Sequence, residues 1–163
     1  MARRTTRSWE NFHKGKQSVI LQAIRLGLHV GPVMGQKKAR LTGLLRKVVV
    51  INGALCAVHV VENVYRQRQR RQVSSRTTLL LSSLQANSFQ IFRLGAKGYK
   101  KRTLVIPSDD LHTVLFNNSG RTRRTLYIPL SGRPENPNFD FLRYEDAWKL
   151  LPAHNRRKRR PAG

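Results

Sequence analysis

Four groups of basic side chains have the types and spacing to hold phosphates. Arg66, Arg68, Arg70 and Arg71 alternate for part of the run Arg-Gln-Arg-Gln-Arg-Arg, and on an extended chain alternation puts guanidiniums on one face, where they can follow a phosphate backbone. Lys97, Lys100, Lys101 and Arg102 gather around Gly95 and Gly98, and Arg121, Arg123 and Arg124 follow Gly120 directly. Arg156, Arg157, Lys158, Arg159 and Arg160 form the fourth group, read as an arm that orders on phosphates rather than a solvated tail. Taken singly, each group could be a solvated loop. Several of them on different turns, with few acids nearby, point to one surface for structured RNA, met by shape and phosphate contact more than by base reading.

Other chemistries find less support. Gly31 and Gly35 followed by Lys37-Lys38 lack the spacing and the trailing hydroxyl of a phosphate loop, and Pro32 removes an amide from it. His13, His29, His59, His112 and His154 are scattered without helical ligand spacing, which suits surface or internally satisfied histidines. Asp109-Asp110 and Glu145-Asp146 are adjacent pairs that read as turn and helix-start residues, not as an acid/base couple. A lone Cys56 forms no disulfide framework within the chain and no multi-thiolate zinc site. The expectation is a protein without catalytic residues, metal or cofactor.

Composition agrees with a polyanionic partner. The 163 residues carry 32 Lys or Arg against 8 Asp or Glu, a formal charge of +24, which self-repels unless neutralised. Residues 1–108 hold 21 of those bases and only two acids, Glu10 and Glu62. At 39% apolar residues the chain is too apolar for a disordered basic tail, and no apolar run is long enough for a membrane span. The Arg- and hydroxyl-rich opening, Met-Ala-Arg-Arg-Thr-Thr-Arg-Ser-Trp, fits either a mitochondrial transit segment or an RNA-binding arm.

The elements that must carry these groups follow from periodicity. Residues 17–28 have a helical apolar face ended by Gly31-Pro32, and a second basic helix fits residues 37–47. Val48-Val49-Val50-Ile51, then Asn52-Gly53, then Val58, Val60 and Val61 predict a hairpin, with one continuous helix over 37–71 as its rival. Further strands are expected at 77–81, 88–94, 99–106, 111–116 and 123–130, separated by turns such as Pro107-Ser108-Asp109-Asp110 and Asn117-Asn118-Ser119-Gly120. A loop over 132–137 and a short helix over 144–151 complete the chain. Five or six short strands imply a small barrel or sandwich. Ile91, Leu104, Ile106, Leu115, Leu126 and Ile128 are expected inside it.

Ser88-Phe89-Gln90-Ile91 with Arg93-Leu94, followed at a fixed offset by Gly120-Arg121-Thr122-Arg123-Arg124 and Leu126-Tyr127-Ile128, resembles the core of the bacterial-type large-subunit ribosomal protein L-nineteen family. Asn52-Gly53 and Val58-His59-Val60-Val61-Glu62-Asn63 are similar to that family's first turn and hairpin. The chain departs from it around Arg68–Ser75, after Leu130 and in both terminal extensions, as a diverged mitochondrial member would. The resemblance implies a mainly β fold, with an SH3-like barrel at 48–131, a basic helical extension at 1–47, and a C-terminal extension at 132–163 with a short helix and basic tail. It implies a structural constituent of the large ribosomal subunit, bound to ribosomal RNA and neighbouring ribosomal proteins and reaching small-subunit RNA through an intersubunit bridge. The location implied is the mitochondrial matrix, with the cytoplasmic ribosome as alternative. Another basic ribosomal family and a nucleoid-type DNA-binding protein are the rival readings.

Overall fold

The computed structural model describes residues 2–31, 47–66, 73–115, 121–131 and 139–153, with the side chains of residues 2–8 left out. The chain begins with helix α1 (Ala2–Arg25), longer than the 17–28 stretch expected. It stops before Gly31-Pro32 because Gly27 takes a φ of 77°, which lets Gly27 N–H reach Ile24 O at 2.9 Å and Leu28 N–H reach Ala23 O at 3.0 Å. The second basic helix expected over 37–47 lies almost wholly outside the described residues, which resume at Lys47.

The predicted hairpin is present. Strands β2 (Val48–Ile51) and β3 (Ala54–Val61) pair antiparallel around Asn52 and Gly53, whose φ angles of 49° and 79° are the two positive values a two-residue turn of this twist requires. A continuous helix over 37–71 is thereby excluded. Asn52 also fastens the turn to its surroundings. Its Oδ1 accepts from His29 N–H at 2.9 Å, beside the short strand β1 (Val30–Gly31), and its Nδ2 donates to Pro152 O at 3.1 Å.

Two open sheets follow. The first has the order β1-β2-β3-β6-β7, with β6 at Ser88–Leu94 and β7 at Arg102–Pro107. Its pairings are antiparallel except that β3 and β6 run parallel, from Leu55↔Ser88 to Val61↔Leu94. The second is β4-β5-β8, antiparallel, with β4 at Tyr65–Arg66, β5 at Val73–Leu80 and β8 at Arg123–Ser131. The sheets do not close into a barrel. The chain is mainly β with a mixed sheet and an N-terminal helix.

The strand expected at 111–116 is instead helix α2 (Ser108–Leu115). Leu111, Val114 and Leu115 satisfy helical spacing as well as they satisfy an apolar strand, and Asp109 and Asp110 in the first turn favour the helix through its dipole. The C-terminal helix expected over 144–151 is broken into two 3-10 turns, Phe141–Tyr144 and Trp148–Leu150, parted by Asp146 at a φ of 49°. The loop at 132–137 lies outside the described residues.

Strand alternation sorts the side chains into three layers. Cys56, Val58, Ile91 and Val105 face one way and pack with Val19 and Ala23 of α1 and with Trp148. Phe92, Leu94, Leu104 and Ile106 face the other way and pack against Leu79, Leu126 and Ile128 of the second sheet, with Leu111 and Leu115 of α2. All six residues expected inside are buried. None of the described helices is long and apolar enough to cross a membrane.

A candidate nucleic-acid interface

The second sheet buries only one face. On β5 the inward positions are Ser75, Thr77 and Leu79, and on β8 they are Leu126 and Ile128; the alternate residues Arg76, Thr78, Arg123 and Thr125 are exposed. Pairing sets these outward residues side by side, Arg76 opposite Tyr127, Thr78 opposite Thr125 and Leu80 opposite Arg123. Tyr65, on β4, completes the row. Its ring centroid lies 5.3 Å from that of Tyr127, and the Arg76 guanidinium stands 5.1 Å over the Tyr65 ring. Ser74, at the outward position between the two tyrosines, is buried.

Asn63, in the link between β3 and β4, holds this cluster in place. Its Oδ1 accepts from Arg76 N–H at 2.7 Å and its Nδ2 donates to Arg76 O at 2.6 Å, while Ser75 Oγ donates to Asn63 O at 2.8 Å. The backbone under Arg76 is therefore fixed from both sides. Two phenolic rings, a guanidinium stacked on one of them, two threonine hydroxyls and a second arginine make a face that can stack flat rings and hold phosphates together.

The residues singled out from sequence are dispersed over the molecule. Arg121 and Arg123 are exposed at the start of β8, whereas Arg124 takes the inward parity and is half-buried. Arg66 is exposed next to Tyr65. Lys97, Lys100 and Lys101 are exposed in the β6–β7 connection, at the opposite end of the sheets from Arg123, near Asn63 and Tyr65. Arg102 is half-buried and its Nε lies 3.8 Å from Glu145 Oε1, so part of its charge serves the fold. Arg68, Arg70, Arg71, Arg156, Arg157, Lys158, Arg159 and Arg160 lie outside the described residues.

Several carboxylates have structural partners. Asp110 accepts from the Tyr144 hydroxyl at 2.7 Å, and burial together with that carboxylate pushes the phenol up to about 12. Asp146 accepts from Gln22 at 2.8 Å, and Asp140 caps the turn at Leu142. Cys56 is buried and its thiol is pushed up to about 12 by desolvation, so it is not a nucleophile near neutral pH.

His59 is not a surface histidine. Its ring stacks on Phe92 at 4.8 Å and 18°, and its Nε2 is 2.6 Å from Gln90 Oε1. Gln90 in turn donates to Ser108 Oγ at 3.2 Å, and Ser108 shares a 2.6 Å hydrogen bond with Ser88. Desolvation lowers the imidazole to about 4, so it is neutral at pH 7. Sequence reasoning missed this chain and the two tyrosines alike, because their members lie on elements that only the topology brings together.

No family model matches the chain, and no curated protein matches it. Among solved structures it is similar to a bacterial homing endonuclease, I-Ssp6803I, at 16% identity and a TM-score of 0.43, over 85% of this chain and 86% of that chain. The expectation of a non-catalytic structural constituent of the large ribosomal subunit, together with its ribonucleoprotein and mitochondrial assignments, is corrected to the extent that no family model or curated protein supports it and the solved structure matched is described as an endonuclease, not a ribosomal protein. The fold supplies a physical reason as well. The two segments that carried the ribosomal resemblance, 88–94 and 120–130, do not share one barrel, since β6 lies between β3 and β7 while β8 pairs with β5 in the other sheet. The similarity to the endonuclease assigns this chain no activity.

Proposed function

We propose that the protein binds single-stranded nucleic acid across the outward face of the β4-β5-β8 sheet. Bases stack on Tyr65 and Tyr127, and phosphates meet Arg76 and Arg123. The observation that carries this reading is the pair of tyrosine rings 5.3 Å apart with Arg76 over one of them, on a sheet face that also exposes Thr78, Arg123 and Thr125. Every base offers a ring face, so such a surface tolerates many sequences, and the chain's +24 charge supplies the long-range attraction. Lys97, Lys100 and Lys101, at the Tyr65 end, extend the basic track beyond the sheet.

The reading is tested by fluorescence anisotropy with labelled RNA and DNA single strands and the matching duplexes, titrated at several salt concentrations. Tyr127→Ala should weaken single-strand binding about tenfold, in keeping with the ~1–3 kcal/mol that stacking a base contributes, and leave the salt slope unchanged. Arg76→Gln and Arg123→Gln should each lower the log–log salt slope by about 0.7. Equal affinity for duplex and single strand, with no loss in Tyr127→Ala, would overturn the reading.

A further inference from the structure

Beside the tyrosine face lies a cavity of about 340 Å³ between the two sheets. Val48, Leu55, Ala57 and Phe89 contribute apolar wall, His59, Ser88 and Gln90 line its polar side, and the exposed Lys47 stands at its rim. Its volume is near the lower end of ligand pockets, about 300–1,000 Å³, which suits one flat ring system rather than an extended ligand.

The hydrogen-bond chain behind the wall fixes what the cavity offers. Gln90 uses its amide N–H on Ser108, so its Oε1 is the acceptor toward His59, and His59 Nε2 is the nitrogen that carries the proton. His59 Nδ1 is left as a bare acceptor, without a hydrogen-bond partner among the described residues. Stacking on Phe92 holds the ring in plane. A neutral acceptor between apolar walls, with a lysine at the mouth, matches a planar ring bearing N–H donors and an adjoining negative charge.

The cavity is continuous with the proposed strand-binding face. Thr78 and Leu80 line it, and both take the outward parity on β5, opposite Thr125 and Arg123. Strand β4 has only two residues, pairing with Val73 and Ser74, so it does not reach this part of β5. A strand that follows β5 from Arg76 past Thr78 to Leu80 therefore reaches the rim.

We propose that this cavity receives one unstacked nucleobase of a bound strand, its ring N–H turned to His59 Nδ1 and its phosphate on Lys47. The inference rests on the strand-binding reading above. Neighbouring bases remain on the tyrosines while this one leaves the stack, an arrangement with a measurable signature.

The test is photo-crosslinking of the full-length protein to single strands carrying one 5-bromouracil at successive positions, with adducts mapped by peptide sequencing. The expected result is two sets: adducts at Tyr65 and Tyr127 from several positions, and adducts within 47–59 or 82–90 from one position. Ala57→Met, which fills the cavity, should remove the second set, keep the first, and weaken binding about tenfold. His59→Phe preserves the stacking on Phe92 and removes the acceptor; it should do the same, and it carries the test if Ala57→Met fails to fold by thermal melting. Adducts confined to the tyrosines, with either folded variant binding as well as the wild type, would overturn the cavity site and leave the sheet face standing. Adducts at neither place, with Tyr127→Ala binding normally, would overturn both.

Discussion

The two sheets are built from different kinds of strand. In the five-stranded sheet β3, β6 and β7 are covered on both sides, with Val58 and Ile91 fully buried toward α1 and Phe92 and Ile106 fully buried toward the second sheet. Their sequences accordingly carry apolar residues at both parities, as in Ile91-Phe92 and Leu104-Val105-Ile106. In the three-stranded sheet the inward Leu79, Leu126 and Ile128 are interleaved with exposed Arg76, Thr78, Arg123 and Thr125. Burial stabilises the centre of the first sheet from both faces, and the second sheet mainly from one. The face that stability does not need is the face free to meet a ligand.

The sharpest way to break this contrast is to delete equal rings from the two sheets. Phe92→Ala should cost about 3–5 kcal/mol, the range for a large buried aromatic, whereas Tyr127→Ala should cost about 1 kcal/mol or less while weakening strand binding. Urea unfolding of both variants decides it, and similar losses would mean that the outer face is part of the core.

Next in size is a pH effect located at the seam between the sheets. His59 takes up a proton near pH 4 in the folded chain and near 6.5 when unfolded. Between these values the unfolded chain binds more protons, so stability is full above pH 6.5 and falls as pH drops through that window, by about 3 kcal/mol. Unfolding midpoints measured at pH 7.5 and 4.5 should differ accordingly, and His59→Phe should flatten the profile.

The helix side of the central sheet makes a third test. A methyl group on Gly15 would lie 2.5 Å from Val60 Cγ2, so α1 approaches β3 there with no room for a side chain. Gly15→Ala should destabilise by about 1–2 kcal/mol despite the better helix propensity of alanine, because the helix must lift or Val60 must turn. A melting temperature above that of the wild type would show the helix to be held loosely.

The smallest effect is expected at Asn63. Asn63→Ala removes the two hydrogen bonds that hold the Arg76 backbone and, in this exposed position, should cost about 1 kcal/mol. Strand affinity should fall with it even though Asn63 meets no ligand. Unaltered affinity would show that Arg76 needs no such support.

Much of the architecture could be read locally. Asn52-Gly53 between β-branched runs specifies its hairpin, and the strand at 88–94 is bounded by turn residues at the ends observed. What could not be read depends on partners distant in sequence. Residues 111–115 carry an apolar pattern compatible with two structures, and the choice is made by the helix packing on β6 and β7, where Leu111 and Leu115 join the core with Phe92 and Ile106. Tyr65 and Tyr127 are 62 residues apart and meet only because β5 passes between β4 and β8. The sequence signal for the interface was the charge runs, yet several of these lie on different ends of the described fold, and Arg102 is tied to Glu145. Arg76, isolated in the sequence, stands at the centre of the row.

The parallel pairing of β3 with β6 also sets an order of events during synthesis. A strand in the middle of a sheet has no neighbour on one side until the second partner exists, and here that partner begins at Ser88, after the whole excursion over residues 62–87. On a ribosome adding residues one at a time, the segment 54–61 therefore waits as an apolar edge with free peptide groups, open to pairing with other chains. Closing the long crossover is also slower than closing a hairpin. Production at low temperature or with a chaperone that covers extended apolar segments should raise the yield of folded protein for this reason, independently of any nucleic acid.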